Sequence, residues 1–274
     1  MLARPALVFV VAFPFALLPA APARDDAPVK PADLVFVRKG TLPVIVSAPH
    51  GGRTAVPGVP PRLGVGVAKF ATVRDANTAE LADRFVAALE KQLGGKAWVV
   101  VARFDRKYLD VNRPRDGSYE SDRAKAYYDA YHDPLAAACK AVKTTHGAGL
   151  LLDLHGQGTH PDAICRGTRN GKTVTLLKER YGWPAVVGKN SVMGRLERAG
   201  YTVLPKCDAG EAAKEEAAFN GGYIVGTYGS HTGYAIDAVQ VEFGTNSRER
   251  DAYPKTADAL ADAVAAFHDA YLKK

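Results

Sequence analysis

His50 and His155 each follow a short apolar run in this chain. The run VIVSAP ends at His50 and the run LLLDL ends at His155, and a glycine comes directly after each histidine. Such runs are typical of buried strands, and the carboxyl end of a strand lies at the rim where open α/β sheets place their chemistry. Histidine is the commonest metal ligand in proteins, and a catalytic zinc has three protein ligands and one open position. We therefore predict that both imidazoles meet at one zinc site.

The third zinc ligand is expected just before the first predicted helix. Apolar residues recur every fourth position from Leu81 onward and predict a helix over residues 77–93, so Asp75 falls near the helix start. A carboxylate there suits a zinc ligand, and it equally suits an N-cap that accepts hydrogen bonds from free backbone amides. Glu80 is the alternative ligand, unless it is a solvated residue of the helix face. The spacing leaves these interpretations open.

A general base is expected on the strand that contains Glu242. In the run VQVEFG, alternation puts Val239 and Val241 on one face of the strand and Gln240 and Glu242 on the other. A carboxylate that projects from an inner strand needs a partner. Glu242 therefore either pairs with an arginine for structural reasons or takes a proton from a water that the metal activates.

An arginine-rich segment over residues 103–113 follows another predicted strand. Guanidinium groups hold carboxylates through paired hydrogen bonds, and they stabilise an oxyanion as it forms. The same composition is typical of a solvated surface loop. The residues of the segment alone do not decide between substrate binding and solvation.

The elements that must position these residues alternate along the chain. Strand-like segments lie at residues 44–47, 97–102, 150–154 and 238–243, and helical patterns lie at residues 77–93, 119–145, 191–199 and 255–271. This alternation predicts an α/β fold with a mixed, mainly parallel sheet flanked by helices. The loops that carry the chemistry then meet at one rim.

Residues 1–23 have the pattern of a secretory signal peptide, with Arg4, an apolar core and the small residues APA before charged ones. The apolar core is short for a membrane span, although an uncleaved anchor is the alternative. We expect residues 24–274 to form one exported domain, periplasmic or secreted. Loss of Arg4 would lower the formal net charge from +7 by one. The scattered basic residues argue against nucleic-acid binding, and the excess favours a carboxylate-bearing substrate, an anionic cell surface or simply a solvated surface.

The chain contains three cysteines, Cys139, Cys165 and Cys207. An oxidising compartment permits one disulfide, and we expect it between Cys165 and Cys207 because Cys139 falls within a predicted helix. None of the three belongs to a C-x-x-C pair, so a cysteine zinc site is not expected.

Eight segments, in this order, resemble the N-formylglutamate amidohydrolase family. They are SAPHGG at 47–52, Asp75 with Leu81, Arg106 with DVNR at 110–113, Tyr131-His132 with Leu135, LDLHG at 152–156, GTR at 167–169, FNGGY at 219–223 and VQVE at 239–242. The resemblance spans about residues 44–246. It implies a relation to the zinc carboxypeptidase and succinylglutamate desuccinylase group, with a zinc-exopeptidase (phosphorylase/hydrolase-like) architecture.

The same resemblance implies which residues carry the chemistry of zinc. His50, Asp75 and His155 match the zinc ligands, and Glu242 matches the general base. Asp153 is expected to orient a ligating imidazole, because such histidines usually donate from their other ring nitrogen to an acceptor.

The resemblance further implies the groups that contact substrate. Arg106 is expected to stabilise the tetrahedral oxyanion, and Asn112 with Arg113 to hold a carboxylate of the leaving amino acid. Arg169 and Tyr223 are expected to line the pocket. His132, by contrast, lies in a predicted helix beside tyrosines, which favours a packed, hydrogen-bonded histidine over a place in the pocket wall.

The function implied is a zinc-dependent hydrolase that cleaves an amide bond of an N-acyl amino acid or of a carboxylate-bearing peptide. Because the chain carries an export signal, we expect its substrate outside the cytoplasm. The alternative is a non-catalytic exported binding protein for carboxylated ligands, which would bind without a metal. A serine hydrolase is disfavoured because no G-x-S-x-G elbow is present.

Overall fold

A computed structural model describes residues 29–217 and 219–273, so the predicted signal peptide lies outside the described residues. Within these two ranges, no helix combines the length and the apolar character needed to cross a membrane.

The fold is built on a mixed sheet of seven strands. The strands are β1 (Val35–Arg38), β2 (Val44–Ala48), β3 (Trp98–Ala102), β4 (Gly149–Gln157), β5 (Ala163–Gly167), β6 (Thr202–Leu204) and β7 (Ile236–Gly244). Their order in the sheet is β1-β3-β2-β4-β7-β5-β6. The pairs β1/β3 and β5/β7 are antiparallel and the other neighbours are parallel. The predicted α/β fold with a mixed, mainly parallel sheet is confirmed.

Helices cover both faces of this sheet. They are α1 (Thr78–Leu93), α2 (Arg115–Ser118), α3 (Lys125–His146), α4 (Thr175–Tyr181), α5 (Pro184–Val187), α6 (Val192–Arg198), α7 (Tyr223–Tyr228) and α8 (Tyr253–Phe267), which continues as a π-helical turn over His268–Leu272. Helices α1, α4, α5, α6 and α8 pack on one face, and α3 and α7 pack on the other, called here the α3 face.

Alternate side chains along the inner strands pack into two different apolar cores, one on each face of the sheet. Val44 and Val46 of β2 join the core under α1, while Ile45 joins the core on the α3 face. Towards the carboxyl ends of the strands, the side chains on the α3 face change from apolar to polar, at Asp153 of β4 and Glu242 of β7. The candidate site is therefore built on the polar end of an otherwise apolar sheet face.

The predicted strands and helices are found, with differences at the edges. β1, β5 and β6 were not predicted. The helix predicted over residues 119–145 begins only at Lys125. Residues before it form a turn in which the Glu120 carboxylate accepts hydrogen bonds from the backbone amides of Leu63 and Gly64, at 2.9 and 2.5 Å.

The predicted disulfide between Cys165 and Cys207 is wrong, because all three cysteines are free. Ile164 packs in the core under α1, so alternation puts the adjacent Cys165 on the α3 face. Cys207 packs against the core under α1 instead. The two thiols thus belong to opposite sides of the sheet. Cys139 is buried within α3, as expected.

Candidate active site

Three buried side chains converge at the carboxyl rim of the sheet. His50 follows β2, His155 lies on β4, and Asp75 lies in the loop before α1. The Asp75 Oδ2 atom is 3.3 Å from His50 Nδ1 and 3.2 Å from His155 Nδ1, and all three candidate ligand atoms lie within 4.8 Å of one another. Zinc–ligand bonds of about 2.0–2.1 Å in a tetrahedron separate the ligands by about 3.3 Å. The donor set therefore fits a divalent metal.

The structure brings Asp75, and not Glu80, to the imidazoles. Asn77 occupies the N-cap position of α1, so the interpretation of Asp75 as an N-cap is wrong. The carboxylate of Glu80 pairs with Arg53 at the surface, with a distance of 2.8 Å to the guanidinium. Asp75 is directed inward because its backbone amide donates to the carbonyl of His50, at 3.0 Å.

Gly51 allows the loop after β2 to lie against the first turn of α1. A Cβ atom on Gly51 would come within 2.5 Å of the backbone nitrogen of Ala79, which is closer than any side chain tolerates. This close approach keeps His50 beside Asp75. The glycine that follows the first histidine thus has a packing reason.

Buried carboxylates fix the far side of both imidazole rings. His50 Nε2 is 2.7 Å from Asp110 Oδ1, and His155 Nε2 is 2.9 Å from Asp153 Oδ2. Ser47 in turn donates to Asp153 Oδ1 at 2.5 Å. Carboxylates in this position fix the tautomer and orientation of a ligating histidine. Both rings consequently present Nδ1 to Asp75, and Asp110 has a role that the sequence did not suggest.

The electrostatics of the cluster are dominated by carboxylates. Burial alone would raise the pKa of Asp75, but the His50 and His155 imidazoles hold it well below its usual range. Burial alone would lower the pKa of His155, yet Asp153 and then Asp75 raise it well above its usual value. Buried carboxylates on both sides of the two imidazoles suit a bound cation.

Glu242 faces the same cavity as the three candidate ligands. It lies beside His155 in the parallel β4/β7 pair, and its Oε1 atom accepts a hydrogen bond from Gln240 Nε2 at 2.7 Å. Burial raises the pKa of Glu242, while His155 opposes the shift. Within residues 29–217 and 219–273, no arginine forms an ion pair with Glu242. The alternative interpretation, in which Glu242 pairs with an arginine for structural reasons, is therefore not supported.

The arginine-rich segment forms one wall of this cavity, which holds about 420 Å³. Arg106 donates from Nη2 to Asp110 Oδ2 at 2.7 Å, and its Nη1 atom lies 3.5 Å from Asp75 Oδ1. Arg113 donates to the carbonyl of Lys69 at 2.8 Å. Asn112 Nδ2 lies 3.2 Å from His155 Nε2. Arg106, Asn112 and Arg113 therefore surround His50, Asp75 and His155, the three candidate ligands that are called here the metal cluster. Lys69, which had no sequence signal, lies at the cavity wall with them.

Arg169 and Tyr223 do not line the cavity, contrary to expectation. Arg169 lies in an exposed turn after β5 and donates to the carbonyl of Gly222 at 2.8 Å. The ring of Tyr223 packs edge to face on His132, with 5.8 Å between the centroids. His132 itself is a packed histidine, because its ring nitrogens lie 3.0 Å from the Tyr228 hydroxyl and 2.9 Å from a backbone carbonyl.

Comparison with known proteins finds a likeness at the level of the fold. No protein-family model and no curated protein matches the chain. The crystal structure of N-formylglutamate amidohydrolase from Ralstonia eutropha is similar, with a TM-score of 0.57 and 18% identity over 86% of this chain and 97% of that chain. A gene product from Agrobacterium tumefaciens gives a TM-score of 0.48 and 15% identity over 86% of this chain and 96% of that chain. The chain thus shares its α/β fold with an N-formylglutamate amidohydrolase.

Proposed function

We propose that this protein is a metal-dependent amidohydrolase that cleaves the amide bond of an N-acyl amino acid or of a carboxylate-bearing peptide. The observation that carries the proposal is the convergence of His50, Asp75 and His155 with Glu242 in one cavity. The likeness of fold to an N-formylglutamate amidohydrolase supports the same class of reaction.

Zinc is the metal proposed, because two imidazoles and one carboxylate form a donor set that zinc enzymes use. His50, Asp75 and His155 would hold it, and when bound it supplies a Lewis acid that acidifies water and polarises the amide carbonyl. The outer carboxylates of Asp110 and Asp153 keep the two rings in the orientation that metal binding needs.

Glu242 is the proposed general base. It accepts a proton from the attacking water and passes this proton to the leaving amide nitrogen, so that the amine departs neutral. Gln240 donates to Oε1 of Glu242 and leaves the other carboxylate oxygen for proton transfer. Burial, which raises the pKa of this carboxyl, brings it closer to the value that suits a base near neutral pH.

Arg106 and Arg113 have separate proposed roles. Arg106 is anchored by Asp110 and lies beside Asp75, so its guanidinium stabilises negative charge that develops on the carbonyl oxygen. Arg113 is partly exposed at the cavity wall and, with Asn112, holds the carboxylate of the leaving amino acid. A fixed carboxylate orients the scissile bond towards the metal cluster.

We further propose that the protein acts outside the cytoplasm, after removal of residues 1–23. The support is the sequence pattern of a signal peptide. Fractionation of cells that express the full chain, followed by amino-terminal sequencing, tests this. Full-length protein in the cytoplasm would contradict it.

The reaction is tested with Glu242→Gln and the matched surface variant Glu80→Gln. We expect Glu242→Gln to keep about one zinc per chain by elemental analysis and to lose at least about a thousandfold in kcat on N-acyl amino acids. Glu80→Gln should retain both zinc and activity. Near-normal turnover by Glu242→Gln would exclude the assigned role, and a metal-free wild-type protein that still binds carboxylated ligands would favour a binding protein.

A further inference from the structure

A second cavity opens at the edge of the sheet beside the candidate active site. It holds about 250 Å³, and its wall is mostly apolar. Its lining includes Cys165, Leu204, Pro205 and Phe219, and Phe219 also lines the cavity of the metal cluster. The two cavities are therefore neighbours that share one aromatic side chain.

A single row of paired residues crosses the sheet from the metal cluster to the second cavity. His155 on β4 is paired with Glu242 on β7. Cys165 on β5 is paired with Glu242 on one side and with Leu204 of β6 on the other. Paired residues project from the same face, and neighbouring strands lie about 4.8 Å apart. The apolar cavity thus begins one strand beyond Glu242, on the α3 face.

Phe219, His160 and Gln157 lie at the border between the two cavities. The ring of Phe219 meets the ring of His160 edge to face, with 6.5 Å between the centroids, and His160 lines the second cavity. The carbonyl of His160 accepts a hydrogen bond from Gln157 Nε2 at 2.7 Å, and Gln157 lines the first cavity. The Phe219 side chain, which lines both cavities, therefore lies at their common border.

The charged residues that line the second cavity are Arg166, Glu215 and Glu216. Arg166 and Glu216 pair with each other, although Arg166 Nη1 has no hydrogen-bond partner among the described residues. One carboxylate oxygen of Glu216 accepts from Arg166 Nε at 2.7 Å, and the other accepts from the backbone amides of Thr168 and Asn170, at 2.6 and 2.9 Å. The buried Arg166–Glu216 pair is neutral as a unit. An occupant of this cavity consequently meets mostly carbon, and it gains affinity by burying apolar surface.

The opposite side of the active-site cavity is cationic. Arg106 and Arg113 belong to the loop after β3, and Lys69 lies beside them. In the sheet, β3 lies on one side of β2, β4 and β7, while β5 and β6 lie on the other. A substrate that lies across the rim therefore meets cations at one end, the metal cluster with Glu242 in the middle, and the apolar cavity at the other end.

We propose that the second cavity binds the acyl group of an N-acyl amino acid whose carboxylate lies at the cationic end. The preferred substrates then carry an apolar acyl group of about six carbons, such as hexanoyl. A closed apolar cavity of about 150 Å³ holds a benzene molecule, so a larger one has room for such a group. This inference rests on the proposed amidohydrolase function.

The experiment measures binding separately from turnover. Zinc-loaded Glu242→Gln protein is titrated in a calorimeter with N-formyl-, N-acetyl- and N-hexanoyl-L-glutamate. Each fully buried methylene contributes up to about fourfold in affinity. We expect the dissociation constant of the hexanoyl ligand to be at least about tenfold lower than that of the acetyl ligand. Equal constants for the two ligands would overturn the proposal.

Variants at Leu204 locate the effect. In the same background, Leu204→Trp fills the cavity and should reduce the hexanoyl-to-acetyl ratio to below about threefold. Thr202→Trp adds the same bulk to an exposed position of the same strand and should keep the ratio. Leu204→Ala enlarges the cavity without adding bulk, and it should move the preferred acyl length beyond six carbons. An unchanged ratio in Leu204→Trp, or an unchanged optimum in Leu204→Ala, would contradict the assignment.

Wild-type turnover separates this proposal from the one on which it rests. Hydrolysis of the three ligands at rates that do not depend on acyl length would overturn the acyl site and leave the amidohydrolase in place. Tight binding of the hexanoyl ligand with no hydrolysis of any of the three ligands would overturn the amidohydrolase function and leave the acyl site in place.

Discussion

Each of the two candidate ligand imidazoles, His50 and His155, contacts a buried carboxylate through its Nε2 atom. Asp153 lies two residues before His155 on the same strand, whereas Asp110 reaches His50 from the loop after β3. Both carboxylates are fully buried, so neither is screened by water. In the proposed metal site, affinity would therefore depend on two side chains that do not contact the metal, those of Asp110 and Asp153.

Asp153→Asn tests this dependence. The amide keeps the volume of the carboxylate but removes the negative charge that orients His155. We expect zinc affinity, measured by competition with a chromogenic chelator, to fall about 10- to 100-fold. Asp116→Asn makes the same change at an exposed position of α2 and should leave the affinity unchanged. Equal affinity in Asp153→Asn and wild type would show that the carboxylate does not support the ring.

Arg113→Gln tests the binding of the substrate carboxylate. A charge-assisted hydrogen bond contributes about 1.5–3 kcal/mol, so KM for an N-acyl amino acid should rise about 10- to 100-fold while kcat changes little. The matched control is the substrate in which a carboxamide replaces that carboxylate, since it should not distinguish the variant from the wild type. A similar rise in KM for both substrates would point to a general loss of structure.

At the residue scale, the convergence of His50, Asp75 and His155 could be predicted from the sequence better than their surroundings could. His50 and His155 could be found because each ends an apolar run. Asp110 could not be found in this way, because a carboxylate within an arginine-rich segment is typical of a solvated loop. Only the structure shows that it contacts His50 and Arg106. Arg169 was assigned by family resemblance alone, and its turn directs it to the surface.

At the scale of elements, one buried carboxylate joins the sheet to a helix. Asp237, the second residue of β7, accepts a hydrogen bond from the backbone amide of Leu177 in the first turn of α4, at 3.1 Å. Burial raises the pKa of Asp237 to about 6. The protonated form therefore stabilises the fold fully below about pH 4, and this contribution is lost as the pH rises through 6.

Asp237→Asn should remove this pH dependence, because the amide keeps an oxygen acceptor for Leu177 and carries no charge. Relative to wild type, the free energy of unfolding of the variant should increase by about 2.5 kcal/mol between pH 4 and pH 7.5. Denaturant unfolding of both proteins at the two pH values measures the difference. A difference that does not change with pH would show that Asp237 is not titrating in this range.

The central strands and the long helices could be predicted, while the edges of the sheet could not. The inner strands β2, β4 and β7 are buried on both faces. β2 and β4 contain apolar runs, and β7 shows an apolar/polar alternation, so all three could be recognised. β6 has three residues, and β5 contains the buried Arg166, so neither gives a recognisable pattern. The second cavity is lined by Cys165 of β5 and Leu204 of β6, and for that reason it could not be predicted from the sequence.

At the scale of the whole molecule, the order of strands sets the order of chemical groups along the rim. The loop after β3 supplies cations, β2 and β4 carry the histidines, β7 carries Glu242, and β5 and β6 border the apolar cavity. The rim thus places cationic side chains, the candidate metal ligands, the proposed base and apolar surface in one line. The two apolar cores, which lie beneath it on both faces of the sheet, are built without any of these groups.

Because the cores do not include the metal cluster, metal removal should lower stability without unfolding the protein. A ligand present at a hundred times its dissociation constant adds about 3 kcal/mol to the free energy of unfolding, which corresponds to about 5–10 °C in Tm for a chain of this size. We expect the chelated protein to keep its far-ultraviolet circular dichroism and to lose that increment in Tm. Asp75→Asn should show the lower Tm with or without zinc. Loss of secondary structure on chelation would mean that the metal holds the fold together, and an equal zinc response in Asp75→Asn would mean that zinc binds elsewhere.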